Sequence, residues 1–280
     1  MRKIIFCLLP LLALVACRKE EPKNNHPDLS PGQLKVMTFN IRATTTEDDA
    51  FNNWGMRAGA CRDMIIDQQP SIVGFQELVA TQWKYVTGIL TSHGYVGVSI
   101  DDPMNAFMYR PDELEMLSEG VFWLSDTPDK SSMSWDGYVR YVHWARMKVL
   151  STGQEFFYIN THFGLTAPSR KSAMTLINRR MPTLNPDNLP VVMMADFNTP
   201  ATDTVFDGIR ETMSCTREVA PVTDDVKTYN AWGNEVKAYI CDHIFITNTM
   251  KCHEYKTVTQ WYDGHKFVSD HFPVYSIIEF

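Results

Sequence analysis

The 280-residue chain has no apolar run of the about 20 residues that a membrane-spanning helix needs. It also lacks internal repeats and low-complexity blocks, so solenoid and disordered architectures are out. Six cysteines are too few for a disulfide-dense mini-fold, and none stands in a CxxC or CxxH spacing, which argues against a structural zinc site. The eight histidines are not spaced as ligand pairs, so a zinc hydrolase is disfavoured. There is no Lys/Arg-rich run, the Arg179-Arg180 pair apart, and 26 basic against 33 acidic residues leave a formal charge of −7. An acidic exterior repels polyphosphates at long range, which disfavours a general nucleic-acid binder. What is present is ordinary for a globular enzyme-sized chain: 44% hydrophobic residues and seven Trp, enough to fill one large core.

Met1-Arg2-Lys3 followed by thirteen mostly apolar residues, Ile4 to Ala16 with Pro10 among them, reads as a secretory signal. Its end, Leu14-Val15-Ala16-Cys17, resembles a bacterial lipobox, so residues 1–16 are expected to be cleaved and Cys17 to carry a lipid. The expectation is an outer-membrane lipoprotein facing the periplasm or the cell surface. Arg18-Lys19-Glu20-Glu21 resembles the Lys-acidic-acidic signal of some surface lipoproteins of Bacteroidetes, and reads equally well as a solvated charge run. Cleavage would remove Arg2 and Lys3 and no acid, taking the formal charge from −7 to −9. Four cysteines remain, Cys61, Cys215, Cys241 and Cys252, either with a Cys215–Cys252 bridge or, as preferred here, as buried free thiols. Residues 17–33 read as lipidated Cys and polar, Pro-bearing tether, and residues 34–280 as one domain, expected to be monomeric.

Within that domain "LKVMTFNI" (34–41) and "SIVGFQE" (71–77) predict buried strands. Helices are predicted over 57–69, ended by Pro70, over about 80–90, and over 169–178. Further strands are expected at 95–99, 106–109, 121–124, 141–150, 156–161, 191–194, 240–246 and 274–280. Strands outnumber helices and helices come singly, which fits an α+β fold of two packed sheets with helices outside better than an alternating parallel sheet.

Polar residues recur where those strands end. Asn40 closes "MTFN", Glu77 follows "GFQ", Arg140 precedes "HWARM", and Asn160 and His162 stand in "NTHF". Asp196 and Asn198 lie in "ADFN", Asp242 in "ICDHIF", and Asp270 and His271 in "SDHFPV". Singly, each reads as a turn, a cap or a solvated strand end. Together they supply carboxylates, carboxamides and histidines to one end of a sheet, and carboxylate oxygens suit a hard divalent cation such as Mg²⁺.

The ordered set of "FN", "QE", "NTHF", "ADFN", "DHIF" and "SDH" resembles the endonuclease/exonuclease/phosphatase superfamily, the deoxyribonuclease I-like hydrolases, from Leu34 to the C-terminus. "NNWGMR" and "FWLSDTP" resemble its secreted Bacteroidetes members in particular. The resemblance implies a four-layer α/β/β/α sandwich of mostly antiparallel sheets. It implies a Mg²⁺ site, with Mn²⁺ as an alternative, built on Glu77 with Asn40 and Asp270. Asp196 would orient or deprotonate the attacking water and Asn198 would hold that water or the scissile phosphate. His271, charged by Asp242, would face phosphate oxygens together with His162 and Arg140, as suits a transition state that gathers negative charge.

Three departures from the family pattern stand out. Gly164 occupies a place that is often Asp, Pro103 one that is often a Glu partner for the first His, and Tyr239 precedes "ICDHIF" where Arg is usual. Asp101 and Asp102 are nearby stand-ins for the missing Glu. The expected activity is phosphoester hydrolysis, on a small, lipid, sugar or inositol phosphoester in preference to long duplex DNA. A secreted nuclease and a catalytically weak surface-binding module on the same scaffold are the alternatives. Trp123, Trp135, Tyr138, Trp144, Trp232 and Trp261 are candidates for a stacking rim, about half of them expected to be simply packed.

Overall fold

In the computed structural model, which describes residues 29–280, two six-stranded sheets pack face to face. The signal segment, Cys17 and the charge run after it lie outside the described residues. Leu29 is already buried, and the first strand begins at Gln33.

The elements in chain order are β1 (Gln33–Asn40), α1 (Trp54–Gln68), β2 (Ile72–Gln76), α2 (Ala80–Leu90), β3 (Val96–Val98), β4 (Phe107–Tyr109) and β5 (Leu114–Trp123). Then come β6 (Tyr141–Val149), β7 (Glu155–His162), α3 (Ala167–Leu184), β8 (Val191–Asp196), β9 (Met213–Cys215), the short α4 (Thr216–Val219), β10 (Asp242–Thr247), β11 (Lys251–Thr257) and β12 (Val274–Glu279). One sheet runs β11-β12-β1-β2-β4-β3 and the other β5-β6-β7-β8-β10-β9. Each contains a single parallel pair, β1 with β2 and β7 with β8, and all other pairs are antiparallel. Parallel neighbours need a crossover, and α1 and α3 supply it on the outer faces.

Three apolar layers separate the four structural ones. Val36, Phe107, Tyr158, Met194 and Ile244 fill the space between the sheets. Phe122, Met174, Ile177 and Phe197 seal α3 onto one sheet, and Phe39, Ile65, Phe75 and Leu90 seal α1 and α2 onto the other. The sheets approach closely at Gly74, where a Cβ would stand 2.5 Å from Tyr158 Oη and 2.8 Å from the Asn160 amide. Only glycine fits there.

Most predicted elements are present, with informative differences. The helix α1 starts three residues earlier than its apolar periodicity, because Asn53 accepts from Met56 N–H and caps it ahead of Gly55. α3 starts at its Thr166 cap and runs on through Pro182, which stands in its last turn. The predicted strand at 121–124 is the end of the longer β5, and two strands were not anticipated. β9 is only three residues, and β11 is an edge strand whose alternation is broken by a bulge between Cys252 and Glu254. Cys215 and Cys252 lie on strands of different sheets, and all four described cysteines are free, so no bridge forms. Among the described residues no helix is long and apolar enough to cross a membrane.

Candidate active site

Strand register assembles the site. In the parallel pairs Asn40 stands opposite Gln76 and His162 opposite Asp196, while antiparallel β10 starts with Asp242 opposite the same Asp196. The C-terminal ends of both parallel pairs thus converge on one edge of the sandwich, where a pocket of about 480 Å³ opens. Glu77, Arg140, His162, Asp196, Asn198, Asp270 and His271 line it. Three lining residues, Arg42, Glu77 and Asn198, hold positive φ of 60°, 59° and 54° without being glycine. Each sits one or two residues past a strand end, and such strain is characteristic of sites the surroundings over-determine.

Asp196 is the hub. Its Oδ2 accepts from Asn40 Nδ2 at 3.0 Å and lies 3.3 Å from His162 Nε2 and 3.7 Å from His271 Nε2. Its Oδ1 accepts from Asn198 N–H at 2.9 Å. Burial alone would raise its carboxyl, but His162, His271 and these hydrogen bonds outweigh burial and hold it far below the usual carboxylate range. Asp196 is therefore a standing anion, better suited to orienting a water than to keeping its proton.

His271 Nδ1 lies 2.9 Å from Asp242 Oδ2. Burial opposes its charge, yet Asp242 and then Asp196 push it up to about 10, so it is an imidazolium at neutral pH. His162 differs. Its Nδ1 is buried with no partner, because Pro103 offers no carboxylate and Asp101 and Asp102 are exposed and do not reach it. Its Nε2 sits between the Asp196 carboxylate and Asn198 Nδ2 at 3.0 Å, and that amide already donates to Phe163 O. An acceptor and a donor thus compete for one ring nitrogen, and nothing on Nδ1 selects the tautomer.

The departure at Gly164 is compensated from elsewhere in the chain. At Gly164 a Cβ would lie 2.2 Å from Ser169 Oγ and 2.9 Å from Asp136 Oδ2. A carboxylate therefore still occupies that neighbourhood, but it comes from Asp136, which accepts from Leu165 N–H and pairs with Arg140 Nε at 3.5 Å. The Arg140 guanidinium has no hydrogen bond within the described protein beyond that 3.5 Å ion pair, and it stacks 5.3 Å over the Tyr138 ring. Its remaining N–H groups can grip an oxyanion.

Glu77 accepts from Asn40 Nδ2 at 3.2 Å and from Ala43 N–H at 3.1 Å. Burial works to raise it, and His162, His271 and these bonds bring it net below its ordinary value. Asp270 goes the other way: burial raises it, and the Glu77 charge adds to the rise against His271 and Arg42. The half-buried Glu77 and the buried Asp270, the latter with Arg42 Nη1 at 3.6 Å from its Oδ2, set two carboxylates side by side, and their hard oxygens fit a divalent cation. Asn40 presents its amide N–H groups to both Glu77 and Asp196, while its Oδ1 accepts from Arg42 N–H, so here it chiefly aligns the two carboxylates.

Asp196, Cys241, Asp242 and His271 also bring ligand-type atoms within 4.8 Å of one another. These atoms are already bonded among themselves, with Cys241 Sγ donating to Asp242 Oδ2 at 3.4 Å. Burial, with Asp242 and Asp196, pushes that thiol well above its ordinary value, so it stays S–H and the group reads as a hydrogen-bonded brace for His271.

Sequence reasoning missed Arg42, Asp136 and Tyr229, marked Tyr239 only as a departure, and also missed Arg57. The Arg57 guanidinium is fully buried without a carboxylate partner, donating to the carbonyls of Ile41, Arg42, Asn52 and Val268. It thereby staples the turn after β1 to the bend before Asp270. The signal was there in "NNWGMR", but no local pattern says which carbonyls an arginine will find. Arg57→Ala would leave several buried carbonyls unpaired, and we expect a loss of about 3 kcal/mol or more in urea unfolding. A midpoint within error of the parent would refute the staple.

Asn160, in contrast, does not reach the pocket. It accepts from Gln76 Nε2 at 2.7 Å and donates to Phe75 O and Asn105 O, a polar bridge between the sheets. Of the six proposed rim aromatics only Tyr138 lines the pocket, joined by Tyr229, which packs on His271, and by Tyr239 in the place where Arg is usual. Trp144 is stacked on Phe157.

No protein-family model matches the chain. An uncharacterized protein of Acanthamoeba polyphaga mimivirus is 24% identical over 268 residues, spanning 88% of this chain and all of that one. The crystal structure of an endonuclease/exonuclease/phosphatase from Bacteroides vulgatus is 27% identical and superposes with a TM-score of 0.80 over 88% of this chain and 98% of its own. A mannosyl-6-phosphatase of Bacteroides thetaiotaomicron is 28% identical, with a TM-score of 0.78 over 88% of this chain and all of its own. With two six-stranded sheets and helices on their outer faces, the chain has the deoxyribonuclease I-like fold of the endonuclease/exonuclease/phosphatase proteins.

Proposed function

We propose that the protein is a metal-dependent phosphoester hydrolase acting on a small sugar-type phosphoester. The observation that carries the reading is the buried Asp196 carboxylate, held anionic within 3.7 Å of both site histidines in the lining of a pocket that also holds Arg140. Asp196 and Asn198 orient a water for in-line attack on phosphorus. As the new P–O bond forms, the ester P–O bond breaks, and water is divided between phosphate and the released alcohol. The imidazolium of His271 and the guanidinium of Arg140 meet the charge that grows on the phosphoryl oxygens. Glu77 and Asp270, aligned with Asn40, would hold Mg²⁺ or Mn²⁺, which adds Lewis-acid stabilisation of the same charge.

Three things favour a small substrate: the acidic balance of the chain, the absence of a basic run, and the likeness to a mannosyl-6-phosphatase. A duplex binder that neutralises Z phosphates shows a salt slope of roughly −0.9Z and needs a clustered basic face. The test is hydrolysis of p-nitrophenyl phosphate, its bis-ester, mannose 6-phosphate and plasmid DNA across a salt series, with EDTA and with Mg²⁺ or Mn²⁺ restored. Expected are EDTA-sensitive turnover and a higher kcat/KM on a small ester than on plasmid. Activity that survives EDTA would remove the metal, and efficient, strongly salt-sensitive plasmid cleavage would make the protein a nuclease.

A further inference from the structure

A second pocket, of about 400 Å³, lies between the outer flank of α3 and the segment that leads from β5 to Arg140. Lys171, Thr175 and Arg179, four residues apart on one face of α3, form one wall, and Ser125, Asp126 and Trp135 the other. Arg179 is the one described arginine whose guanidinium has neither an ion pair nor a hydrogen bond to the protein. All the others are engaged: Arg42, Arg62, Arg110, Arg140, Arg146, Arg180, Arg210 and Arg217 by carboxylates, and Arg57 and Arg170 by backbone carbonyls. Its neighbour Arg180 shows the contrast, paired with Asp129 and placed over the Phe122 ring. Lys171 has no ion pair among the described residues either. The one carboxylate in the pocket, Asp126, accepts from Trp135 Nε1 at 3.0 Å and forms no ion pair with either cation.

The site is therefore concave, carries two exposed cations without an ion pair against one carboxylate, and includes an indole pinned by its own hydrogen bond. Cations in a concave site select a phosphate, and an aromatic ring suits the apolar face of a sugar. The pocket is tied to the catalytic one through the chain, because Trp135 is followed directly by Asp136, which holds Arg140 and the Leu165 amide at the catalytic pocket. We propose that this pocket is an accessory binding site for a phosphorylated sugar unit, separate from the phosphoryl group that is cleaved. It takes its ligand class from the phosphoester reading above, while its residues take no part in that chemistry.

The test uses the Trp135 indole N–H resonance, identified by its disappearance in Trp135→Phe, in full-length protein carrying Asp196→Asn so that ligand is not consumed. Mannose 6-phosphate should move this resonance saturably, and unphosphorylated mannose should not. Lys171→Ala with Arg179→Ala should weaken the titration at least about tenfold, as expected when two charge-assisted contacts are lost. In the Asp196 parent the same pair of substitutions should leave p-nitrophenyl phosphate hydrolysis unchanged. The proposal is overturned by a silent resonance, by an identical titration in the double variant, or by an equal response to mannose. A resonance that answers a short oligonucleotide and not mannose 6-phosphate would overturn it too, in favour of a nucleic-acid contact. Failed hydrolysis in the parent condemns the functional reading instead, so the two failures are distinguishable.

Discussion

Asp196→Asn should lower kcat by about 10²- to 10⁴-fold, the span measured for a positioned proton-accepting group, while divalent-metal binding persists. The substitution is isosteric, so what it removes is the charge on which Asn40, His162 and His271 converge. A neutral amide can still touch a water but no longer accepts through both lateral oxygens. Glu77 and Asp270 are untouched, so titration with Mn²⁺ should give an affinity close to that of the parent. Glu77→Gln should do the opposite and raise the metal concentration needed for half-maximal activity, because a hard cation loses a charged ligand. If Asp196→Asn turns over at the parental rate, the hub has been assigned to the wrong residue.

The two histidines should prove unequal. His271→Ala removes an imidazolium held by Asp242, whereas His162→Ala removes a ring whose Nδ1 has no partner and whose Nε2 is contested, so the first should cost more kcat/KM at neutral pH. The pH dependence gives a sharper check. The folded value for His271, about 10, lies above the ordinary unfolded value of about 6.5. Charge on His271 therefore contributes stability in full below about pH 6.5, and that contribution fades as pH rises towards the folded value. Its charge in the active site should last just as long, and an alkaline fall in kcat/KM before about pH 9 should be absent unless another group imposes it. Asp242→Asn removes the first cause of the upward shift and should bring the alkaline limb towards neutrality. A profile in Asp242→Asn that overlays the parent across pH 6 to 10, to about half a unit, would separate His271 protonation from catalysis.

Much of this molecule is legible in its sequence. Long apolar runs with β-branched and aromatic residues located β1, β2, β7 and β8, and helical spacing located α1 and α2, because burial on one face leaves a period in the chain. Polar residues placed at or directly after such strands marked Asn40, Glu77, His162, Asp196, Asp242, Asp270 and His271, all of which the structure brings to one edge of the sandwich. That worked because a strand end has a defined place in a sheet. β11 escaped because an edge strand with a bulge has no clean alternation.

Other decisions belong to the tertiary structure. The sequence by itself determined the sandwich, the set of strand-end residues and the resemblance they form. It placed Asn160 among them only because type and position matched, whereas its contacts put it between the sheets. Only the fold decided that Asp136 fills the space at Gly164, that Arg57 staples two distant turns, that His162 lacks a partner at Nδ1, and that Arg179 is left uncompensated. Each depends on which side chains meet across residues far apart in the chain. Local pattern reports a residue's own burial, but its partner is chosen by strand register and sheet packing, which no short stretch of sequence encodes.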